Sequence, residues 1–298
     1  MKEDVANKII IDSILNPPDT SSGLYKFMEA LTGERVVFKN VCPDCTSPWN
    51  FIWESYRIDL PSWREKTADS IIVLGPRGGH KTLSEAKLIV AELLLKPGCE
   101  ILAMGAISSQ ASRCSSYVRK YLQNKVILDS GLIDKLLKET IVLRNSASYR
   151  QVVATSSGVK SNHSPKLRVD EAELIESDII SEARMIPAST QDWHSHIAYI
   201  STRQQIEGTM SDLLAESKQS HSKIIKWCYK ESSEPCPESR RGRDEKIYEI
   251  EDIYNPGETI VVKAYVGCET CPLLRSCRGS LAKATGTVSI DDSIREFL

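Results

Sequence analysis

Residues 71–82 read IIVLGPRGGHKT, and few folds can accommodate such a stretch. The apolar run 71–74 has the character of a strand buried on both faces, as in a parallel sheet. Gly75-Pro76-Arg77-Gly78-Gly79-His80-Lys81-Thr82 follows, and then a helical run over 83–95. Strand, glycine-rich turn, Lys-Thr and helix together describe a phosphate-cradling loop. Backbone N–H groups ring a triphosphate, Lys81 reaches its β- and γ-phosphates, and Thr82 holds Mg²⁺. The helix N-terminus adds its positive dipole end. The strict pattern has glycine where this chain has His80, and a plain strand-to-helix turn is the competing reading. A second motif has to decide.

That motif is KLRVDEAE at 166–173. Leu167 and Val169 alternate with polar residues, and the strand ends in Asp170-Glu171. The carboxyl end of a parallel strand is where ligand chemistry is done. Asp170 is suited to Mg²⁺ coordination through the ion's water shell, and Glu171, one residue on, to polarising an attacking water. Two acids in the first turn of a helix would need no catalysis. The order of the two motifs argues against that account.

Further strands are predicted at 100–106, 141–143, 151–155, 196–201 and 223–229, with helices at 108–122, 179–185 and 208–218. Strands alternating with helices specify an α/β fold, a mainly parallel sheet flanked by helices. The 196–201 strand ends in Ser201-Thr202-Arg203, where a hydroxyl is placed to sense a γ-phosphate. Segment 156–166 reads as a solvated loop carrying Lys160, His163 and Lys166. Trp49, Phe51, Trp53 and Tyr56 precede the glycine-rich loop, and stacking on an adenine ring or helix packing explains them equally well.

The chain has 298 residues, room for a core and a smaller appendage. The expected division is an N-terminal helical and aromatic segment packing on the core (1–60), a nucleotide-binding core (61–230) and a lid or linker subdomain (231–298). A hairpin is predicted from 247–253 and 259–266 across Asn255-Pro256-Gly257. The formal net charge of −2 gives no global field toward nucleic acid, although a local basic groove suffices for binding. Arg240, Arg241 and Arg243 form such a cluster, and Lys160 is a further candidate for contact with DNA phosphates. No run is long enough to span a membrane, and the amphipathic N-terminus lacks the pattern of an export signal.

Nine cysteines, an odd number, in a chain without such a signal favour metal ligation and buried thiols over disulfides. Cys268, Cys271 and Cys277 have C-x2-C-x5-C spacing, and Cys236 lies upstream. Four thiolates there suit a structural Zn²⁺, and an iron–sulfur cluster stays open. Cys42-Pro43-Asp44-Cys45 has no second pair nearby and reads as a turn with buried thiols. Cys228, in a predicted strand, reads as a buried thiol, as do Cys99 and Cys114.

GPRGGHKT, then LRVDEAE, then YISTR, then CPLLRSCRG, in that order, resemble the large terminase subunit of tailed bacteriophages, the motor ATPase that packages DNA into proheads. The resemblance covers approximately residues 45–285. It implies a P-loop NTPase fold with a small C-terminal cysteine-rich, metal-binding subdomain. It implies ATP and Mg²⁺ bound by Gly75 to Thr82 with Asp170, water activation by Glu171, and action of Arg77 on the γ-phosphate. Ser201 and Thr202 would couple hydrolysis to DNA movement. The implied partners are double-stranded DNA, further copies in a ring on a portal, and a small terminase subunit, in the cytoplasm of an infected host. The chain departs from the pattern at His80, and it stops about where the family's nuclease domain would begin, as a motor without its cutter. A helicase-like or repair ATPase with a metal cluster is the alternative. A zinc-stabilised nucleic-acid binding module with an inactive nucleotide site is the third reading.

Overall fold

The computed structural model describes residues 3–63, 68–160, 162–205 and 207–297, excluding the side chains of residues 110, 111, 157, 160, 296 and 297. The chain forms two compact units, the first from residues 1–36, 49–74 and 81–225, the second from 37–48, 75–80 and 226–298. The second unit is thus wider in sequence than the terminal subdomain expected from 231 onward.

The first unit is a mixed α/β layer structure. Its strands are β1 (Ser70–Leu74), β2 (Glu100–Gly105), β3 (Ile133–Leu136), β4 (Thr140–Leu143), β5 (Ser148–Val153), β6 (Lys166–Asp170), β7 (His196–Ser201) and β8 (Ser222–Lys226). They form one sheet in the order β3-β4-β5-β2-β6-β7-β1-β8. The five strands β5-β2-β6-β7-β1 run parallel. The strands β3 and β4 extend the sheet antiparallel beyond β5.

The order follows from which runs demand burial on both faces. All five residues of β6 are buried, as is the centre of β1, so both belong inside a helix-covered sheet. Ile72, Leu102, Met104, Leu167, Val169 and Tyr199 pack with Ile175, Ile180, Met210 and Leu213 of the covering segments. The helix Lys81–Leu95 is buried nearly all round, and two of its internal charges are in ion pairs. Lys87 meets Glu34 at 3.2 Å and Glu92 meets Arg168 at 2.7 Å.

Two local expectations are corrected here. Residues 156–160 are a short helix rather than loop, and Lys166 is a fully buried strand residue. The strand β3, IDKL, has no predicted counterpart, because two charged residues in four leave it almost no apolar signal. The aromatic stretch is the helix Pro48–Tyr56. There Phe51 and Tyr56 are buried, and Trp49 sits edge-on to Tyr25 with centroids 4.9 Å apart, so helix packing accounts for them.

The second unit carries the hairpin β9 (Glu245–Glu251) and β10 (Thr259–Tyr265), paired antiparallel from Thr259↔Glu251 to Tyr265↔Glu245. Tyr248, Val262 and Ala264 cover one small core. Leu273, Cys277, Leu281, Ala284 and Ile290 build another, against Val41 and Tyr229. Among the described residues no helix is long and apolar enough to cross a membrane.

Candidate active site

The register of the parallel strands makes three carboxyl ends flush. Leu74 of β1 pairs with Ser201 of β7, and Ile200 of β7 with Asp170 of β6. Because β7 lies between β1 and β6, Ser201-Thr202 stand between the start of the helix Lys81–Leu95 and Asp170-Glu171. Lys81 Nζ donates to Thr202 Oγ1 at 2.7 Å, and Thr82 Oγ1 to Asp170 Oδ2 at 3.0 Å. Lys81, Thr82, Asp170, Glu171, Ser201 and Thr202, singled out from three separate stretches of sequence, therefore meet in the first unit.

Burial governs the electrostatics. Asp170 is 4% exposed, and desolvation, then the neighbouring Glu171 carboxylate, raise its pKa to about 6, against the opposing pull of Thr82 and Lys81. Glu171 has φ 51° and ψ 47°, the left-handed region that side chains rarely enter. This backbone turn is held by Leu174 N–H donating to Glu171 O at 2.9 Å and Glu171 N–H to Asp170 Oδ1 at 3.0 Å. Ser201 Oγ donates to Glu171 Oε2 at 3.4 Å.

Two residues without a part in the sequence reading belong to this constellation. Glu85 lies three residues beyond Thr82, on the same helix face. Its carboxyl is wholly buried with the Cys114 thiol as its neighbour and no stronger hydrogen-bond donor among the described residues, and desolvation followed by Asp170 drives its pKa well above the usual range. Glu173 accepts N–H bonds from Gln204 at 3.2 Å, Gln205 at 3.0 Å and Met210 at 2.8 Å. It fastens the chain after β6 to the chain after β7. Its place in VDEAE was the available signal, and the spacing said nothing of its partners.

The glycine-rich segment 75–80 is counted with the second unit. Gly79 N–H donates to Pro76 O at 3.1 Å, closing a turn. A Cβ at Gly79 would come within 2.7 Å of the Pro76 ring, so this position demands glycine. Trp227 Nε1 donates to Gly79 O at 2.8 Å, and His80 Nε2 lies 3.0 Å from Thr287 Oγ1. Gly78 and His80 have φ of 63° and 62°. A glycine is usual at such an angle, and histidine is among the side chains that tolerate it. Arg77 is exposed.

The cysteines are arranged differently from expectation. Cys236, Cys268, Cys271 and Cys277 all line one cavity of about 20 Å³, with Leu273, Leu281 and Ile290. Among the described residues, the ligand atoms that approach within 4.8 Å of one another as a group of three are those of Cys42, Cys45 and Cys228. These thiols are half-buried, whereas Cys99 and Cys114 are buried. Cys228 lies beyond β8, at the N-cap of the helix Tyr229–Ser232.

Of the basic residues, Arg240 pairs with Asp291 at 2.8 Å and Arg243 with Glu238. Arg241 donates to Cys236 O at 3.2 Å and lies over the Tyr265 ring, 4.2 Å from its centroid. The Lys160 side chain is outside the described residues.

No protein-family model and no curated protein sequence matches this chain. Among solved structures, the HK97 bacteriophage large terminase aligns with a TM-score of 0.49 and 13% identity, over 72% of this chain and 46% of that one. The large terminase ATPase domain of Thermus phage P74-26 aligns with a TM-score of 0.43 and 14% identity, over 57% of this chain and 79% of its own. A large terminase from a thermophilic bacteriophage, solved in complex with ADP, aligns with a TM-score of 0.41 and 10% identity, over 57% of this chain and 44% of that one.

Proposed function

We propose that this chain is an ATP-hydrolysing motor domain that moves double-stranded DNA into a viral prohead, as a terminase does. The observation that carries the reading is the pair of contacts Lys81–Thr202 and Thr82–Asp170 at the flush ends of β1, β7 and β6. A hydroxyl and a carboxylate 3.0 Å apart form the hard-oxygen donor set that Mg²⁺ prefers. Thr82 and Asp170 would hold the ion, which when bound offsets charge on the phosphate oxygens and on Asp170.

Lys81 turns from Thr202 to the phosphates and neutralises charge developing on them. The N–H groups of 75–80 and the exposed Arg77 guanidinium do the same from the loop. Glu171, steered by Ser201, accepts the proton of an in-line water. Thr202, released by Lys81, and Ser201, bound to Glu171, carry the change into the segment after β7, where hydrolysis couples to DNA movement.

Lys/Arg contacts to DNA phosphates would make the grip independent of sequence and sensitive to salt. Arg240 and Arg243, with side chains 39% and 85% exposed, are better placed for this than Arg241; Lys160 is the fourth candidate. Further copies in a ring, a portal and a small terminase subunit complete the proposal. Cys236, Cys268, Cys271 and Cys277 are proposed as a structural metal site, for Zn²⁺ or an iron–sulfur cluster.

The test is ATP hydrolysis with and without double-stranded DNA, for wild type, Glu171→Ala and Lys81→Ala. Glu171→Ala should bind nucleotide and lose turnover by about 10²–10⁴-fold, whereas Lys81→Ala should lose both. A wild-type chain that neither binds nor hydrolyses ATP would put the nucleic-acid binding module first, with His80 as the residue that disables the loop.

A further inference from the structure

We infer that Cys42, Cys45 and Cys228 form a Zn²⁺ site of three thiolates with a solvent-held fourth position, clamping residues 37–48 to the stretch that follows β8. Their ligand atoms lie within 4.8 Å of one another. Tetrahedral zinc with Zn–S bonds of about 2.3 Å separates its sulfurs by about 3.8 Å. Closure around the ion thus asks for side-chain shifts of roughly an ångström.

The backbone is already set for this. Cys45 N–H donates to Cys42 O at 3.2 Å, folding Cys42-Pro43-Asp44-Cys45 into a knuckle. Thr46 then docks on the Lys226 carbonyl through its N–H at 2.7 Å and its hydroxyl at 2.9 Å, two residues from Cys228. The buried Glu231 carboxylate ties both ligand-bearing segments. Its Oε1 accepts from Val41 N at 3.0 Å and Cys42 N at 2.6 Å, and its Oε2 from Cys228 N at 3.0 Å. Such bracing behind the ligands is what orients a metal site.

Three thiols kept for packing alone would sit in apolar surroundings, as Cys99 and Cys114 do at 0% and 2% exposure. The trio is half-buried instead. Among the described residues no other His, Cys, Asp or Glu ligand atom joins the group, and solvent reaches it, so water takes the fourth place. Thiolate softness selects zinc over magnesium or calcium.

The full chain, purified without chelator, should carry a zinc equivalent that Cys42→Ser, Cys45→Ser and Cys228→Ser each lose and Cys114→Ser keeps. The variant Cys42→His should retain it, which separates ligation from misfolding. Substitution by Co²⁺ should give thiolate charge-transfer absorption that shifts on adding imidazole, as an open position requires. Wild-type zinc content equal to that of Cys228→Ser would overturn the inference, and so would zinc lost only on Cys268→Ser or Cys277→Ser. An unreduced, denatured chain with two fewer reactive thiols than its nine cysteines, the missing pair drawn from this trio, would show a disulfide and overturn it as well.

Discussion

Asp59→Asn should be among the most damaging single-atom-scale changes in the first unit, because of what it strands. Asp59, with a side chain 2% exposed, accepts from Lys96 Nζ at 2.6 Å, Lys166 Nζ at 2.8 Å and His194 N at 3.0 Å. Lys96 has a second carboxylate in Glu92 at 3.2 Å, which also holds Arg168 through two bonds of 2.8 and 2.7 Å. Lys166 has Asp59 as its ion-pair partner and is fully buried. Burial and then Lys96 lower its pKa to about 8, so it is still a cation at neutral pH. With the carboxylate gone, Glu92 alone faces Lys96, Lys166 and Arg168. Removing one partner of a buried ion pair costs about 3–5 kcal/mol, which lowers Tm by roughly 10 °C. The assay is urea unfolding of the full chain followed by circular dichroism.

The pH dependence fixes the cause. Against the desolvation that burial imposes, Lys96 and Lys166 hold the Asp59 pKa well below the usual carboxylate range. Its contribution is therefore complete above the unfolded value of about 3.9 and is lost as pH falls through the folded one. The gap between wild type and Asp59→Asn should narrow below about pH 4, and it should narrow again as pH rises toward about 8, because Lys166 without Asp59 gives up its proton at lower pH than in wild type. A loss under about 1 kcal/mol at pH 7, or a gap that persists into acid, would refute the argument. Nucleotide binding by the folded variant should survive, because Lys166 and Asp170 are opposite ends of β6, about 13 Å apart at strand rise.

Two further changes probe the site. Gly79→Ala would bring its Cβ to 2.7 Å from two Pro76 ring carbons and 2.9 Å from the Pro76 carbonyl oxygen. The loop must open, so affinity for a fluorescent ATP analogue should fall by about tenfold or more, a loss of about 1.4 kcal/mol; unchanged affinity would mean that these amides do not cradle phosphate. Glu85→Gln should remove a pH slope. Burial raises the folded pKa of Glu85, so wild-type stability falls as pH rises above the unfolded value of about 4.3. The variant should match wild type in acid and exceed it at pH 8, and parallel stability curves would show that Glu85 is not the titrating group.

What can be read in the sequence is local. The parallel core is legible because strands buried on both faces announce themselves as apolar runs between turns, as 71–74 and 196–201 do. The grouping of Lys81, Thr82, Asp170, Glu171, Ser201 and Thr202 is legible because each member sits at the carboxyl end of such a strand or at the helix that follows. Long-range polar pairing is not. Lys166 looks solvated beside His163 and Ser164, since no local pattern reveals Asp59, 107 residues away. Cys228 looks like a lone thiol for the same reason. Its partners Cys42 and Cys45 carry a C-x2-C signal, and only the fold brings the two stretches together. The strand β3 escapes notice because edge strands need little apolar content.

On the proposed function, the left-handed turn at Glu171 would link the chemistry to the segment after β7. A residue at φ 51° carries strain on the order of 1–2 kcal/mol, and here it is opposed by the two bonds within the turn and by one from the neighbouring strand end. Ser201 Oγ donates to Glu171 and accepts from Glu173 N–H at 3.2 Å. The Glu173 carboxylate in turn holds the backbone of Gln204, Gln205 and Met210, the last at the start of the helix Thr209–Glu216. A shift of Glu171 that breaks its bond to Ser201 therefore loads the same hydroxyl that anchors Glu173. Displacement at the Glu171 carboxylate and displacement of the segment after β7 are in this way two ends of one hydrogen-bonded element. Thr202 joins it from the other side through Lys81, which on the proposed function would leave Thr202 Oγ1 to reach a phosphate. On the proposed function, nucleotide arrival would act on β7 through Lys81, and water activation would act on it through Glu171. The strand β7 lies between β6 and β1, so its carboxyl end borders both groups.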